Sequence, residues 1–437
     1  MITPHFPPDS NAGTHRVRLL APHLPRHGWL PTVLTVDPAY YEGVLDPRLL
    51  ELVPPTLHVE RVKAIPARVV RPFGVGDLGL RSLGGLYSRA AELLRREKYD
   101  ALFITIYPAY TALLGPMLKR RFPIPFVLDY QDPWVGSWGK TVGARDDRGA
   151  DLKSRISRFI ATRLEPRAVR AADAITAVSS KTIEEVVERN PDAGRLPSLT
   201  IPVGGDVSDF DALRKRPAKN GFFDPDDGLF HLCYVGTLLP LGVETLRAVL
   251  SGIAAIRDSR PDIYSRLRLH FIGTSNERRD GAAPRVRGLA EELGVGGIVS
   301  EEPMRIDYTD ALTVQVQASA LLLMGSSEHH YTASKLYPAM LAQRPVLAVY
   351  HRASSVSSIL GSHSGELIRL VQFGDHDPAG HHSAEIADAV VSLVERSGDV
   401  HETGASSMDD SLAAANIAGA LANLLDNVSG PAMKGEH

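Results

Sequence analysis

Short apolar runs alternate with helical stretches along almost the whole chain, and this pattern is typical of parallel sheets covered by helices. In the first half, the predicted strands lie at residues 31–36, 101–106, 125–130 and 174–179. In the second half, they lie at residues 229–236, 267–274, 296–302, 320–325 and 344–350. Amphipathic helices are predicted between them, including residues 16–28, which end at Gly28, and residues 86–100. The alternation therefore predicts an α/β protein.

The chain has 437 residues, which is more than one compact core holds and suits two domains of about 200 residues. Residues 198–210 (SLTIPVGGDVSDF) contain a strand-like run, two glycines and an Asp-rich turn, as a linker does. We therefore predict two doubly wound domains, at residues 1–202 and 203–410, followed by an amphipathic helix within 411–428 and a tail at 429–437. At the other end, MITPHFPP leaves only two or three residues of a first strand, which indicates either a start inside that strand or a clipped strand.

The composition excludes several classes of protein. Apolar residues make up 44% of the chain, charged residues 23%, and the formal net charge is −3, so the basic excess of nucleic-acid-binding proteins is absent. The single cysteine, Cys233, excludes an internal disulfide framework and a thiolate metal cluster, and we expect a reducing, cytoplasmic setting. The sequence shows neither a signal peptide nor an apolar run of the roughly 18 to 20 residues that a membrane span needs.

The segment PHFPPDSNAGTHRVRLL (4–20) forms a loop rich in Pro, Asn and Gly between the first strand and a helix. Backbone N–H groups at such a place can hold an anion, and Gly13 would let a phosphate come close to the backbone. The alternative is an ordinary strand–helix turn.

The segment VLDYQDPW (127–134) places polar side chains directly after a predicted strand. In open parallel sheets, ligands bind outside the carboxyl ends of the strands, so Asp129, Gln131 and Asp132 are well placed for chemistry. Trp134 could form the wall of a sugar or base site. The alternative is that Asp132 caps a turn.

Two segments of the second half have the same form. YVGTLLPLGVETL combines a strand, a glycine turn and a helix, and Thr237 in its turn could donate to a phosphate. In HHYTASKLYPAMLAQRPVLAV (329–349), Ser334 or Thr332 is a candidate N-cap and Lys335 lies in the first turn of a helix. A lysine adds positive charge to the positive end of the helix dipole, and a bound anion would offset that cost. The alternative is a capped helix with an exposed lysine.

Two further patterns do not predict sites. GVGDLG (74–79) has the glycine spacing of a dinucleotide loop, but no second strand with a terminal acid follows it, so we predict a flexible loop. His329 and His330 are adjacent on a loop and do not converge on one ion without further ligands. No metal site is therefore predicted.

The ordered series of a Pro/Gly loop, ADAITAVSS, TIPVGGDVSDF, YVGTL and ASKLYPAMLAQRPVLAV resembles the family 4 glycosyltransferases of the GT-B fold. The likeness extends from Thr3 to Val349. It implies two Rossmann-like domains that face each other across a cleft, with the final helix packing back on the N-terminal domain. The donor substrate would be a nucleoside diphosphate-sugar bound mostly by the C-terminal domain. The acceptor, a glycan, a lipid-linked molecule or a small molecule, would bind the N-terminal domain. Family members usually retain the anomeric configuration and need neither a bound cofactor nor a metal.

The resemblance also implies roles for particular residues. The implied donor-binding residues are Gly13, Thr237, Glu328, His330, Thr332, Ser334 and Lys335. The implied acceptor-side residues are Asn11, Asp129 and Trp134. The implied catalytic residues are Gln131, Asp132 and Lys335.

The sequence departs from the family at positions that matter for catalysis. His330 and Pro338 occupy the places of two glutamates, and no arginine or lysine follows the YVG turn. Gln131 occupies the place of a histidine, and a glutamine cannot transfer a proton. Two alternatives therefore stay open: a catalytically impaired GT-B scaffold or partner protein, and a nucleotide-sugar epimerase. The epimerase would use the carboxylates of Asp129, Asp132 and Glu328.

The first half is locally rich in basic residues, which suits peripheral contact with an anionic membrane at the inner face of a bacterial cell, where acceptors for polysaccharide biosynthesis lie. These residues are Arg61, Lys63, Arg68, Arg71, Arg81, Arg89, Arg95, Arg96, Lys98, Lys119, Arg120 and Arg121. The alternative is a solvated basic surface. We expect a monomer or a homodimer.

Overall fold

The computed structural model of the protein describes residues 1–135, 152–215, 220–275, 283–326, 335–362, 368–398 and 413–430. The chain divides into two compact units. Unit 1 consists of Met1–Gly204 and Ala414–His437, and unit 2 of Gly205–Ala413.

Both units are built from short strands and longer helices. The strands are β1 (Thr32–Val36), β2 (His58–Val62), β3 (Leu102–Thr105), β4 (Phe126–Tyr130), β5 (Ala174–Ala177), β6 (Ser198–Thr200), β7 (Phe230–Val235), β8 (Leu267–Ile272), β9 (Val299–Glu302), β10 (Ala320–Met324), β11 (Val346–His351) and β12 (Ile368–Phe373). The helices are α1 (Thr14–Leu20), α2 (Ala67–Val70), α3 (Leu78–Arg96), α4 (Leu114–Lys119), α5 (Leu152–Ala171), α6 (Ser180–Arg189), α7 (Val207–Lys215), α8 (Val243–Ser259), α9 (Pro261–Arg266), α10 (Arg287–Glu292), α11 (Tyr308–Gln317), α12 (Leu336–Leu341), α13 (Ser355–Ser362), α14 (Ser383–Glu395) and α15 (Ala414–Ser429).

The sheet of unit 1 is parallel throughout its described pairings. β1 pairs with β2, and β3, β4, β5 and β6 pair in that order. Ile2 makes parallel bridges to Leu34 in β1 and to Ile104 in β3, so the N-terminal residues lie between the two groups of strands. Seen from this central position, the chain first builds β1 and β2 on one side and then β3 to β6 on the other.

The sheet of unit 2 is also parallel, with the order β12–β11–β10–β7–β8–β9. β7 is central: the chain continues from it through β8 and β9 on one side, then crosses to β10, β11 and β12 on the other. Helices α8 and α14 pack against this sheet through a continuous apolar core. The prediction of an α/β protein with two Rossmann-like units is confirmed.

All nine predicted strands are present. The inner ones are visible in the sequence because buried parallel strands are continuous apolar runs. β2 was not predicted. Its sequence is HVERV and only Val62 at its end is buried, so it lacks the apolar run of an inner strand. β12 (IRLVQF) was also missed.

Two predicted helices differ in extent. The predicted helix 16–28 is α1 followed by a 3-10 segment over Ala21–His27, which contains two prolines, and Gly28 ends it at φ 82° as expected. The helix predicted at 86–100 begins earlier, at Leu78, because the Asp77 side chain accepts a hydrogen bond from Leu80 N at 2.7 Å. The segment 74–79, predicted as a flexible loop, therefore includes the N-cap Asp77 and the first two residues of α3.

The final helix, α15, packs against α1 within unit 1. Ile417 and Leu421 belong to the same buried cluster as Val17 and Leu20. Burial of such side chains contributes about 1.5–3 kcal/mol each relative to exposure. No helix within the described ranges is long and apolar enough to cross a membrane.

Candidate functional site

In unit 2, the strand order places a topological switch point between β7 and β10, where ligands bind in open parallel sheets. Gly236 follows β7 at φ 124°, in the region that favours glycine. A Cβ at Gly236 would lie 2.5 Å from Cε of Lys335. The glycine therefore both forms the turn and leaves room for the lysine side chain.

Lys335 is enclosed at this turn. Its Nζ donates to Tyr234 Oη at 2.7 Å and to the carbonyl oxygen of Thr237 at 2.7 Å, and it lies 4.5 Å from the centre of the Tyr234 ring. Burial lowers the pKa of the Lys335 ammonium to about 7. No carboxylate of the described residues pairs with it, so its charge is offset only by neutral oxygens and an aromatic face. A bound anion would complete this site.

The local geometry differs from the sequence prediction in two respects. Lys335 occupies the N-cap position of α12 instead of the first turn, and its side chain turns inward to the sheet edge. Thr237 contributes its backbone carbonyl to the lysine, whereas a hydroxyl contact to phosphate was predicted. Tyr234, which the sequence prediction missed, also donates to Thr237 O at 2.9 Å. The only signal in the sequence was that this tyrosine lies near the end of a strand, two residues before the glycine of the turn.

Several predicted donor-binding residues lie outside the described residues. They are Glu328, His330, Thr332 and Ser334. Their roles stay predictions.

In unit 1, Asp129 lies in the interior with no exposed surface. Its Oδ2 is 3.1 Å from Nε of Arg16, and its Oδ1 accepts a hydrogen bond from Thr176 at 2.8 Å. Arg16 also donates to the carbonyl oxygens of Ile201 at 2.7 Å and Pro202 at 3.0 Å. Asp129 was predicted on the acceptor side. Its position corrects that prediction. The carboxylate contacts Arg16 and Thr176 in the interior of unit 1, and an acceptor cannot reach it.

The residues after Asp129 lie nearer the surface. Asp132 is exposed, yet neighbouring atoms displace enough water to raise the pKa of its carboxyl. The Nε2 atom of Gln131 is buried and has no hydrogen-bond partner among the described residues. Trp134 is half-buried and meets the Tyr110 ring edge-on at 5.9 Å. Gln131 and Asp132 are thus at the carboxyl end of β4, where the sequence predicted them.

The loop before α1 is organised differently from the prediction. Gly13 has ordinary helical backbone angles, and the ring of Tyr107 fills the place that a Cβ would take. Glycine is needed here for packing, and the ring occupies space that was predicted for a phosphate. Asn11 directs its backbone N–H to Asp9 Oδ1 at 3.1 Å and its side-chain amide to Asp9 Oδ2 at 3.4 Å.

Comparison with known proteins gives one family match, to the glycosyl transferase 4-like domain over residues 12–199. Comparison with curated proteins gave no match.

Solved structures resemble the whole chain. Anabaena HepE in complex with UDP-glucose is 14% identical, with 98% of this chain and 96% of that chain covered and a TM-score of 0.50. The N-terminal domain of Candida albicans trehalose-6-phosphate phosphatase is 12% identical, with 94% and 93% covered and a TM-score of 0.52. The E. coli trehalose-6-phosphate protein bound with UDP-2-fluoro glucose is 9% identical, with 97% and 98% covered and a TM-score of 0.53. These likenesses establish the fold, and the chain has the GT-B fold.

Several basic residues of unit 1 are not free to form a charged surface. The Arg81 side chain is buried, donating to Ile65 O at 2.9 Å and pairing with Glu42 at 3.1 Å. Arg89 pairs with Glu60 and Glu92, at 2.9 and 2.7 Å. Lys119 pairs with Asp173 at 2.6 Å. The predicted basic surface is therefore smaller than the sequence indicated.

Proposed function

We propose that the protein is a glycosyltransferase that moves a sugar from a nucleoside diphosphate-sugar, bound by unit 2, to an acceptor bound by unit 1. The observation that carries this proposal is Lys335, a buried ammonium at the switch point of unit 2 without an acid partner among the described residues. The structural likeness to HepE, which was solved with UDP-glucose, supports a nucleotide-sugar donor.

The chemistry of such a transfer needs a positive charge where the leaving diphosphate develops its negative charge. A preorganised cation in a partly desolvated site stabilises that charge more strongly than water does. Lys335 meets this need, because the Tyr234 and Thr237 oxygens fix its ammonium and Gly236 leaves the space beside it. We propose that it substitutes for a metal ion and that the anomeric configuration is retained, as the family resemblance implies. Transfer in the presence of EDTA and the anomeric configuration of the product test these two points.

Thermal unfolding with a panel of UDP-, GDP-, ADP- and dTDP-sugars tests the donor site. We expect one nucleotide class to raise the melting temperature of the wild-type protein and to fail with Lys335→Met. Loss of a charge-assisted hydrogen bond costs about 1.5–3 kcal/mol, which is roughly 10- to 100-fold in Kd. Lys181→Met, at a half-exposed lysine of unit 1, is the matched control and should bind as the wild type does. Stabilisation by no nucleotide would favour the non-catalytic scaffold.

We also propose that the acceptor side contacts an anionic membrane surface at the cytoplasmic face. Ile65, Val69 and Phe73 are exposed by 49%, 53% and 81%, close together in the chain. Arg68 and Arg71 lie between them on the exposed surface, and Arg71 also pairs with Glu42 at 2.8 Å. Apolar side chains can enter the lipid interface while the arginines remain at the anionic headgroups.

A further inference from the structure

A second cation lies at the turn that follows β7. The Nη1 atom of Arg285 donates to the carbonyl oxygen of Leu238 at 2.5 Å. Lys335 donates to the carbonyl oxygen of Thr237, the residue that precedes Leu238. Two positively charged side chains from distant parts of the sequence are therefore anchored on consecutive carbonyl groups of one turn. The turn itself, residues 237–242 (TLLPLG), has no charged side chain.

The two cations approach this turn from opposite sides. In the sheet of unit 2, β7 lies between β10 and β8. Lys335 belongs to the segment that follows β10, and Arg285 belongs to the segment that follows β8. The backbone N–H group of Leu238 also donates to the carbonyl oxygen of Thr274, just after β8, at 2.9 Å. The turn therefore lies between an ammonium and a guanidinium, at the carboxyl ends of the strands where ligands bind in such sheets.

The carboxylate of Glu301 holds the backbone of Arg285 in place. Its Oε1 atom accepts from the backbone N–H of Arg285 at 2.8 Å and from the hydroxyl of Thr274 at 2.6 Å. Its Oε2 atom accepts from the backbone N–H groups of Val286 and Arg287, both at 3.0 Å. Because both carboxylate oxygens are occupied by these donors, Glu301 fixes the position of Arg285 without pairing with its guanidinium.

Neither cation forms an ion pair with a carboxylate within the described part of unit 2. A guanidinium has five N–H donors, and the bond to Leu238 uses one of those of Arg285. The Arg285 side chain is exposed, so its other donors can reach a ligand. Arginine binds phosphate oxygens through paired donors and stays charged throughout the usual pH range. Two positive charges at one turn therefore suit a ligand that carries two phosphate groups.

We propose that a diphosphate spans this turn, with its leaving phosphate at Lys335, the phosphate next to the nucleoside at Arg285, and Glu301 as the positioning residue of Arg285. This inference rests on the nucleotide-sugar donor proposed above and adds a second binding residue to the same site. Lys335 takes the leaving phosphate because it is the enclosed cation, and a developing charge is stabilised most where water is excluded. Arg285 holds a phosphate whose charge does not change in the reaction, so it contributes to binding of the donor.

The test compares nucleoside diphosphates with monophosphates by titration calorimetry at pH 7. The probes are UDP and UMP, with the pairs GDP and GMP, ADP and AMP, and dTDP and dTMP measured alongside. Arg285→Met should weaken the diphosphate and the monophosphate of the bound base alike, by about 10- to 100-fold in Kd, because both carry the phosphate next to the nucleoside. Lys335→Met should weaken the diphosphate alone. Arg285→Lys, which keeps the charge without the paired donors, should recover part of the affinity.

Arg287→Met is the matched control. The backbone of Arg287 also donates to Glu301, but its side chain pairs with Glu291 at 3.3 Å and is 73% exposed. This variant should bind every nucleotide as the wild type does. Thermal unfolding without ligand should give similar melting temperatures for the Arg285→Met and Arg287→Met proteins, because both side chains are exposed.

A double substitution tests the role of Glu301. Glu301→Gln should weaken UDP binding, because an amide cannot accept from all four donors. The double variant with Arg285→Met should bind UDP as weakly as Arg285→Met alone, since both changes remove one contact. A role of Glu301 in stability alone would instead add a separate loss of affinity, or cause none, and either result would contradict its role as the positioning residue.

Wild-type affinity of Arg285→Met for both nucleotides would overturn the proposal. An equal loss with Arg287→Met would also overturn it, since it would indicate a general effect of surface charge. Loss of monophosphate affinity with Lys335→Met but not with Arg285→Met would contradict the placement of the two phosphates. Failure of the wild type to bind any of these nucleotides would instead overturn the glycosyl transfer proposed above.

Discussion

The guanidinium of Arg16 and the carboxylate of Asp129 form an ion pair inside unit 1, with Nε and Oδ2 3.1 Å apart. Both side chains are almost completely enclosed, and Arg16 also donates to the carbonyl oxygens of Ile201 and Pro202, near the end of the first segment of unit 1. The pair therefore joins α1, β4 and the chain after β6 in one network.

We expect Arg16→Met to destabilise unit 1 by about 3–5 kcal/mol, because it leaves Asp129 as a buried charge without its partner. Urea unfolding followed by fluorescence measures the change. Arg247→Met, at the exposed pair with Glu292, is the matched control and should leave the midpoint unchanged within error. Equal effects of the two substitutions would contradict the structural role of the buried pair.

Most of the fold could be predicted from the sequence. Inner strands such as β4 and β10 are apolar runs, and parallel pairing follows from the helices between them. The sequence was insufficient for β2, because an edge strand with exposed polar residues has no pattern that separates it from a loop. The short first strand predicted at the N-terminus is represented by Ile2, which bridges Leu34 and Ile104.

The sequence predicted where the candidate site residues lie in the fold better than it predicted which residues they contact. Lys335 was recognised from the helix it precedes, but Tyr234 lies 101 residues earlier and only the fold brings its hydroxyl to the ammonium. Gly13 was selected from the loop before α1 for a phosphate contact, yet only the fold shows that the Tyr107 ring fills that space.

Binding of a nucleoside diphosphate at Lys335 should be coupled to proton uptake. The free protein holds the pKa of this lysine at about 7, and a bound anion raises it. Between pH 7 and the higher pKa of the complex, binding takes up a proton, so affinity falls as pH rises, by up to about tenfold per pH unit. Titration calorimetry of UDP near pH 8, in HEPES and in Tris, should give enthalpies that differ with the buffer. Lys335→Arg, which stays charged, should give equal enthalpies. Equal enthalpies for the wild type would contradict the coupling.

Gly236→Ala should abolish nucleotide binding, because its Cβ would displace the Lys335 side chain. It should also destabilise unit 2 by about 1–3 kcal/mol through backbone strain at φ 124°. Gly228→Ala is the matched control: Gly228 has φ 80°, but its Cβ would meet nothing within 4 Å. Thermal unfolding with and without UDP distinguishes the two effects. Retained binding by Gly236→Ala would contradict the close packing of Lys335.

The buried His270 should make unit 2 less stable in mild acid. Its Nε2 lies 2.9 Å from Nδ1 of His231, and the Phe223 ring stacks on it at 4.7 Å. Burial, and then the charge of His231, lower the pKa of His270 to about 4, against about 6.5 in an unfolded chain. As pH falls through this interval, the unfolded chain binds a proton that the folded protein does not, so stability is lost, by about 2 kcal/mol between pH 7 and pH 5. Urea unfolding of His270→Gln should show a smaller loss, and an equal loss would contradict the assignment.

Phe73 and Val69 should be required for attachment to anionic membranes. Both side chains are largely exposed beside the exposed Arg68 and Arg71. We expect the protein to sediment with phosphatidylglycerol vesicles more than with phosphatidylcholine vesicles, and less so at high salt, because the arginine contribution is screened. The double substitution Val69→Ser with Phe73→Ser should reduce the bound fraction several-fold, since it removes the apolar contribution of both side chains. Leu30→Ser, at a leucine that is 85% exposed elsewhere in unit 1, should bind as the wild type does. An equal loss with Leu30→Ser would show unspecific apolar adhesion instead of a docking surface.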